Sequence, residues 1–143
     1  MNVLVKLIVV LMVSTLSAFV TTETETEIYT ITVTVKDAAN NDGKIFLALY
    51  NSETDFLDTI YKGTKSTITN NGCTVSFKDI PKGVYAISIF HDENDNGKMD
   101  TNFVGIPKEA YGCSNNAKGF MGPPKWKDAN FELNANKTLT IAL

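Results

Sequence analysis

The residues of this chain best suited to chemistry lie in one stretch, His91-Asp92-Glu93-Asn94-Asp95-Asn96-Gly97-Lys98-Met99-Asp100. Asp92, Asn94 and Asn96 alternate, Gly97 follows at once, and Asp100 comes three residues later. Side-chain oxygens at positions 1, 3, 5 and 9 of a loop, with glycine at 6, form the front of a calcium loop. The reason is geometric. A hard cation gathers about six to eight oxygens at about 2.3–2.6 Å, and alternate residues of a tight turn can aim theirs inward. Lys98 would add its backbone carbonyl at the seventh position. Position 12 is Phe103, where an EF-hand places a bidentate Glu, so a further ligand must come from elsewhere; Glu109 is the best-placed carboxylate. Tyr85 to Phe90, before the loop, reads as strand and not helix, which also argues against an EF-hand. The plainer alternative is an Asn/Asp/Gly turn that binds nothing, since these residues form turns anyway.

The elements that must position this loop are strands. Ile31, Val33 and Val35 alternate with Thr32 and Thr34, the period of a half-buried strand. Lys44 to Tyr50 is apolar on both faces, as an inner strand would be. Asn70-Asn71-Gly72, between extended runs at Lys65–Thr69 and Cys73–Phe77, signals a hairpin. Asn130–Leu133 and Lys137–Leu143 read as a closing hairpin around Asn134-Ala135-Asn136. The expectation is an all-β fold, an antiparallel Greek-key β-sandwich of about seven strands.

Thr101 to Lys127 breaks the pattern. It is rich in Gly and Pro yet carries Phe103, Tyr111, Phe120, Met121 and Trp126. A long ordered loop folded against the calcium-loop-like turn is expected, with Tyr111, Phe120 and Trp126 anchoring it. The alternative use of those aromatics is a sugar-stacking platform.

Before the domain, Met1 to Val20 has one charge, Lys6, then an apolar run interrupted by Ser14, Thr15 and Ser17. This is the form of a secretory signal peptide, with a membrane anchor as the alternative. Residues 21–27 are a Thr/Glu spacer, and the domain spans 28–143. Export would be to the periplasm, the outer envelope or the medium. With 13 Lys+Arg against 16 Asp+Glu, the chain has no basic footprint for nucleic acid. In an oxidising compartment Cys73 and Cys113 are a candidate disulfide, or two independent thiols.

Pro81-Lys82-Gly83-Val84-Tyr85 resembles the strand–turn–strand of prealbumin-like sandwiches, the group with carboxypeptidase regulatory-like and collagen-adhesin B-type domains. That resemblance implies that the Tyr packs back over the sandwich end. Over Ile31 to Leu143 the order His91-Asp92-x-Asn94-x-Asn96-Gly97-Lys98-x-Asp100-x-Asn102, Gly105-x-Pro107-x-Glu109-x-Tyr111-Gly112-x-Ser114-Asn115-Asn116 and Gly122-Pro123-Pro124 resembles DUF2141. That is a family of exported bacterial proteins without an assigned biochemical function. It implies fold and export, and no catalytic residues.

His91 is the only histidine, and no Ser or Cys stands in a recognisable nucleophile context. The functional expectation is therefore an exported calcium-binding module, non-catalytic, with Asp92, Asn94, Asn96, Lys98, Asp100 and Glu109 as ligands. Tyr111, Ser114, Asn115, Asn116, Phe120 and Trp126 form its candidate binding surface, toward an envelope or extracellular glycan or protein. No stable membrane span is expected once the signal is removed. The competing classes are a carbohydrate- or envelope-acting enzyme using Asp100 and Glu109, and a carrier with an apolar cavity.

Overall fold

The computed structural model describes residues 25–143; the expected signal peptide and most of the Thr/Glu spacer lie outside them. Eight strands form two sheets: β1 (Ile28–Lys36), β2 (Lys44–Tyr50), β3 (Lys62–Ser66), β4 (Cys73–Pro81), β5 (Gly83–Asp92), β6 (Tyr111–Cys113), β7 (Phe131–Leu133) and β8 (Lys137–Ala142). A 3-10 turn at Ser114–Asn116 and one short helix, α1 (Trp126–Ala129), are the helical elements described. One sheet has the order β4-β1-β8; the other runs β3-β2-β5-β6, with β7 also on β5.

The alternation in β1 does what its period demands. Ile31, Val33 and Val35 are buried, and they face Ile45, Leu47 and Leu49 of β2 and Ile87 and Ile89 of β5 in one core. Thr32 and Thr34 stand outside, where their hydroxyls meet Ser76 and Thr74 of β4. Strand β2 lies between β3 and β5 and is apolar on both faces because both are used. Its outer residues Phe46, Ala48 and Tyr50 line a groove on the far side of the sheet.

Two connections differ from the expected arrangement. Asn70 and Asn71 both have positive φ, and Thr69 bridges Gly72, so the turn forms. Yet β3 pairs with β2, and β4 pairs with β1 in the other sheet. The closing pair likewise separates, β7 joining β5 and β8 joining β1. Strand β8 runs parallel to β1, so the sandwich is not wholly antiparallel. The common cause is that turn residues specify a chain reversal, not the sheet in which the next strand finds its partner. Pro81-Lys82-Gly83 is a crossing of the same type, from β4 to β5 between sheets. There the Tyr85 hydroxyl donates to the Pro81 carbonyl at 2.7 Å and its ring covers Gly83. The tyrosine fixes the corner.

Candidate functional site

Strand β5 delivers the loop. Its inward face ends on His91, which is fully buried and whose Nε2 donates to the Asp42 carbonyl at 2.7 Å. Asp92 is also fully buried. Its two oxygens accept from the backbone N–H groups of Asn96 (3.0 Å) and Gly97 (2.8 Å), which curl the loop around its side chain. Gly97 takes φ 82, the left-handed value the turn requires.

The other predicted side chains converge. Asn94 donates to Asp100 at 2.7 Å and Asn96 donates to the other Asp100 oxygen at 3.0 Å. These bonds, from Asn96 first and Asn94 next, hold the Asp100 carboxyl below its ordinary range, with Lys98 and Lys108 adding to the effect. The amide oxygens of Asn94 and Asn96 accept from the N–H of Asn96 and Lys98, the local turn bonds of such residues. Glu109 returns on the second leg of the hairpin that follows Asp100. It is 8% exposed, and one oxygen accepts from the Asp100 N–H at 2.9 Å. Its other oxygen, Oε1, is buried without a hydrogen-bond partner.

That orphaned oxygen tests the fit of a cation. A buried carboxylate oxygen without a donor is costly, and a hard cation satisfies it as a hydrogen-bond donor would. Asp92, Asn94, Asn96, Asp100 and Glu109, with the Lys98 carbonyl, are all-oxygen donors, the chemistry calcium takes. Among the described residues no three His, Cys, Asp or Glu side chains are gathered into a metal site by themselves. A cation here therefore depends on the two Asn amides and the carbonyl. A half-turn of either amide would exchange its nitrogen for its oxygen beside Asp100.

A second clasp on the loop was not legible in the sequence. The turn between β1 and β2 grips the loop at its root: Asp42 takes the His91 ring, Asn40 donates to Glu93 at 3.1 Å, and Lys44 pairs with Asp95 at 2.7 Å. Gly43, at φ 64, lies so close to the Asp92 carbonyl that a side chain there would overlap it. Glu93 and Asp95, the even positions of the loop, thus turn away from the converging oxygens.

The expected binding surface divides. Ser114 is fully buried: it receives the Ile87 N–H at 2.9 Å and donates to the Ala129 carbonyl at 2.5 Å, so it is a staple and not a surface residue. Asn115 donates to the Asp128 and Asn130 carbonyls, and Asn116 accepts from the Ala142 N–H. Both Asn residues have positive φ, which explains the residue type in structural terms. Trp126 is half-buried and packs edge-on to Phe56, whereas Phe120 is 92% exposed and anchors nothing. Tyr111 is partly exposed in β6. The long loop is held by β6 against β5 and by Ser114 instead. Cys73 and Cys113 stand in different sheets and are both free thiols. Burial pushes the Cys113 thiol up to about 11, far from the range of a nucleophilic cysteine.

One hollow adjoins the loop. A groove of about 710 Å³ crosses the outer face of the five-stranded sheet, walled by Phe46, Phe90, Leu57, Ile60 and Tyr50, with Met99 of the loop at its edge. The Phe46 and Phe90 rings stack at 5.0 Å, and the Lys65 ammonium lies 5.5 Å from the Phe46 ring centre.

Neither the curated proteins nor the solved structures include a match to this chain. The match is at the level of family: residues 33–141, from the core of β1 to the end of β8, fit DUF2141, described as an uncharacterized protein conserved in bacteria, and the chain belongs to that family.

Proposed function

We propose that this protein is an exported, non-catalytic binding module whose Asp92–Asp100 loop holds one calcium ion. The observation that carries the reading is the Glu109 carboxylate, buried with Oε1 unpartnered while its other oxygen holds the Asp100 N–H and Asn94 and Asn96 converge on the Asp100 side chain. The binding reading is favoured over an enzyme by how the reactive groups are spent. His91 is buried with Nε2 committed to the Asp42 carbonyl and Nδ1 without a partner, Cys113 is buried, and Glu109 bonds the Asp100 backbone.

Calcium titration of protein stripped with chelator tests this. Extracellular modules bind at about 10⁻⁴–10⁻³ M, so about 5 mM calcium should add about 1–2 kcal/mol of stability. For a domain of this size that is a rise in Tm of about 3–10 °C. Glu109→Gln keeps an acceptor for the Asp100 N–H but removes the charge, and should abolish most of the rise. An unchanged Tm in the parent protein, or an equal rise in the variant, rules the site out.

A second reading, a carrier of a small amphipathic molecule, is favoured by the groove beneath Met99. Its volume lies within the range of small-molecule sites, and it combines apolar walls with the Tyr50 and Ser88 hydroxyls, 3.1 Å apart. An anionic apolar dye should bind there and be lost on Phe90→Asp. Dye binding equal in that variant would remove the carrier reading.

A further inference from the structure

We propose that the hairpin tip leaving the calcium loop is a membrane-docking wedge: with the loop's ion in place, Phe103, Val104 and Ile106 enter the interface of an anionic lipid bilayer. The switch in this proposal rests on the calcium reading above. Phe103 is 100% exposed, Val104 62% and Ile106 59%. Single exposed apolar residues are ordinary, but three together at one apex mark a contact surface.

The tip is built, not frayed. Thr101 bridges Pro107, and the Asn102 N–H donates to the Ile106 carbonyl at 2.9 Å. The Asn102 side-chain oxygen accepts from the N–H groups of Val104 and Ile106, both at 3.0 Å. One half-exposed Asn thus satisfies the turn, while the apolar side chains are left outward. The legs stand directly on the loop: the Lys108 N–H donates to the Asp100 carbonyl at 2.8 Å, and Glu109 holds the Asp100 N–H. A projecting hairpin offers no hollow for a partner's side chain. It suits a deformable medium that can close around it.

Charge selects the kind of membrane. Asp92, Asp100 and Glu109 lie beneath the tip, with the exposed Lys98 and Lys108 beside them. Without an ion this group is negative by one charge, and an anionic surface repels it. A divalent cation makes it positive by one. Glu93, bonded to the neutral Asn40, and Asp95, paired with Lys44, together add one net negative charge at the loop root. The ion therefore removes the repulsion between the loop and anionic headgroups, an electrostatic switch beneath an apolar wedge. The second part of the long loop repeats the composition, with Phe120 and Met121 at 92% and 93% exposure between Lys118 and Lys125. Among the described residues no helix is long and apolar enough to cross a membrane.

The test is co-sedimentation of the purified protein with phosphatidylglycerol–phosphatidylcholine vesicles, in millimolar calcium and in chelator. Calcium should strengthen binding at least about tenfold, and Phe103→Ser with Ile106→Ser should weaken it by about the same factor. Both side chains are exposed, so the double variant should keep its β-sheet circular dichroism and its calcium titration. Binding that is equal in chelator, or equal in the double variant, overturns the proposal. Absence of vesicle binding with tip-dependent dimers in sedimentation velocity also overturns it and makes a second copy the occupant. The vesicle-free titration separates the two levels: an ion bound without vesicle binding sinks docking alone, and no ion bound sinks the calcium reading beneath it.

Discussion

Gly43→Ala is expected to destabilise the domain by about 2–4 kcal/mol, although the change adds a single methyl group. Two effects combine. Gly43 has φ 64, where an L side chain is strained, costing about 1 kcal/mol. The new Cβ would also overlap the Asp92 carbonyl, which is backbone and cannot swing aside like the end of a flexible side chain. Relief requires the Lys44–Asp92 pair at the end of the β2–β5 ladder to open, and Asp92 is the root of the loop. Gly97→Ala is the internal control. It also has positive φ, 82, but an added Cβ meets nothing within 4 Å, so its cost should stay near 1 kcal/mol. Urea unfolding of the two variants decides the matter. If they lose equal stability, the close seating of the β1–β2 turn on the loop root is wrong.

Asp92→Ala should be about as damaging, by a different route. The lost carboxylate leaves the Gly97 N–H without its acceptor in a part-buried position, and leaves the Asn96 N–H only its longer bond to the Asn94 amide oxygen. Charge-assisted bonds of this kind are worth about 1.5–3 kcal/mol, and the orphaned donor and the cavity add to the loss, for a total of about 2–4 kcal/mol. The loop should also lose its first oxygen ligand, so the calcium-dependent rise in Tm should vanish with the stability. Asp92→Asn retains one acceptor oxygen and should fall between the two in urea while losing the calcium response. Retention of that response in Asp92→Ala would falsify the assignment of the loop.

The strands were legible because burial follows period. Ile31, Val33 and Val35 announce an inner face, and that face is where they lie. The loop residues were legible because alternation and Gly97 are local features, and local features survive in the sequence. Partnership was not. Nothing in Asn70-Asn71-Gly72 says that β3 will lie beside β2 and β4 beside β1, because the choice is made by which apolar faces close the core together. The role of Ser114 was hidden for a related reason. Its position between Ile87 and Ala129 exists only after β5 and α1 have met. The contact of Gly43 with Asp92 is again a meeting of distant segments.

The parallel seam between β1 and β8 has a kinetic consequence. Thr30 bonds Asn136 across 106 positions of chain, and β1 is the middle strand of its sheet. On one side β1 must wait for β4, and on the other for β8. Closing such wide loops is entropically expensive before any contact rewards it, so this sheet should assemble late and slowly. Until the last strand arrives, the alternating Ile-Thr-Val-Thr-Val segment keeps an open edge, the form of strand most prone to pair with a neighbouring molecule. A chain still being synthesised would therefore keep this sheet unsealed until β8 emerged.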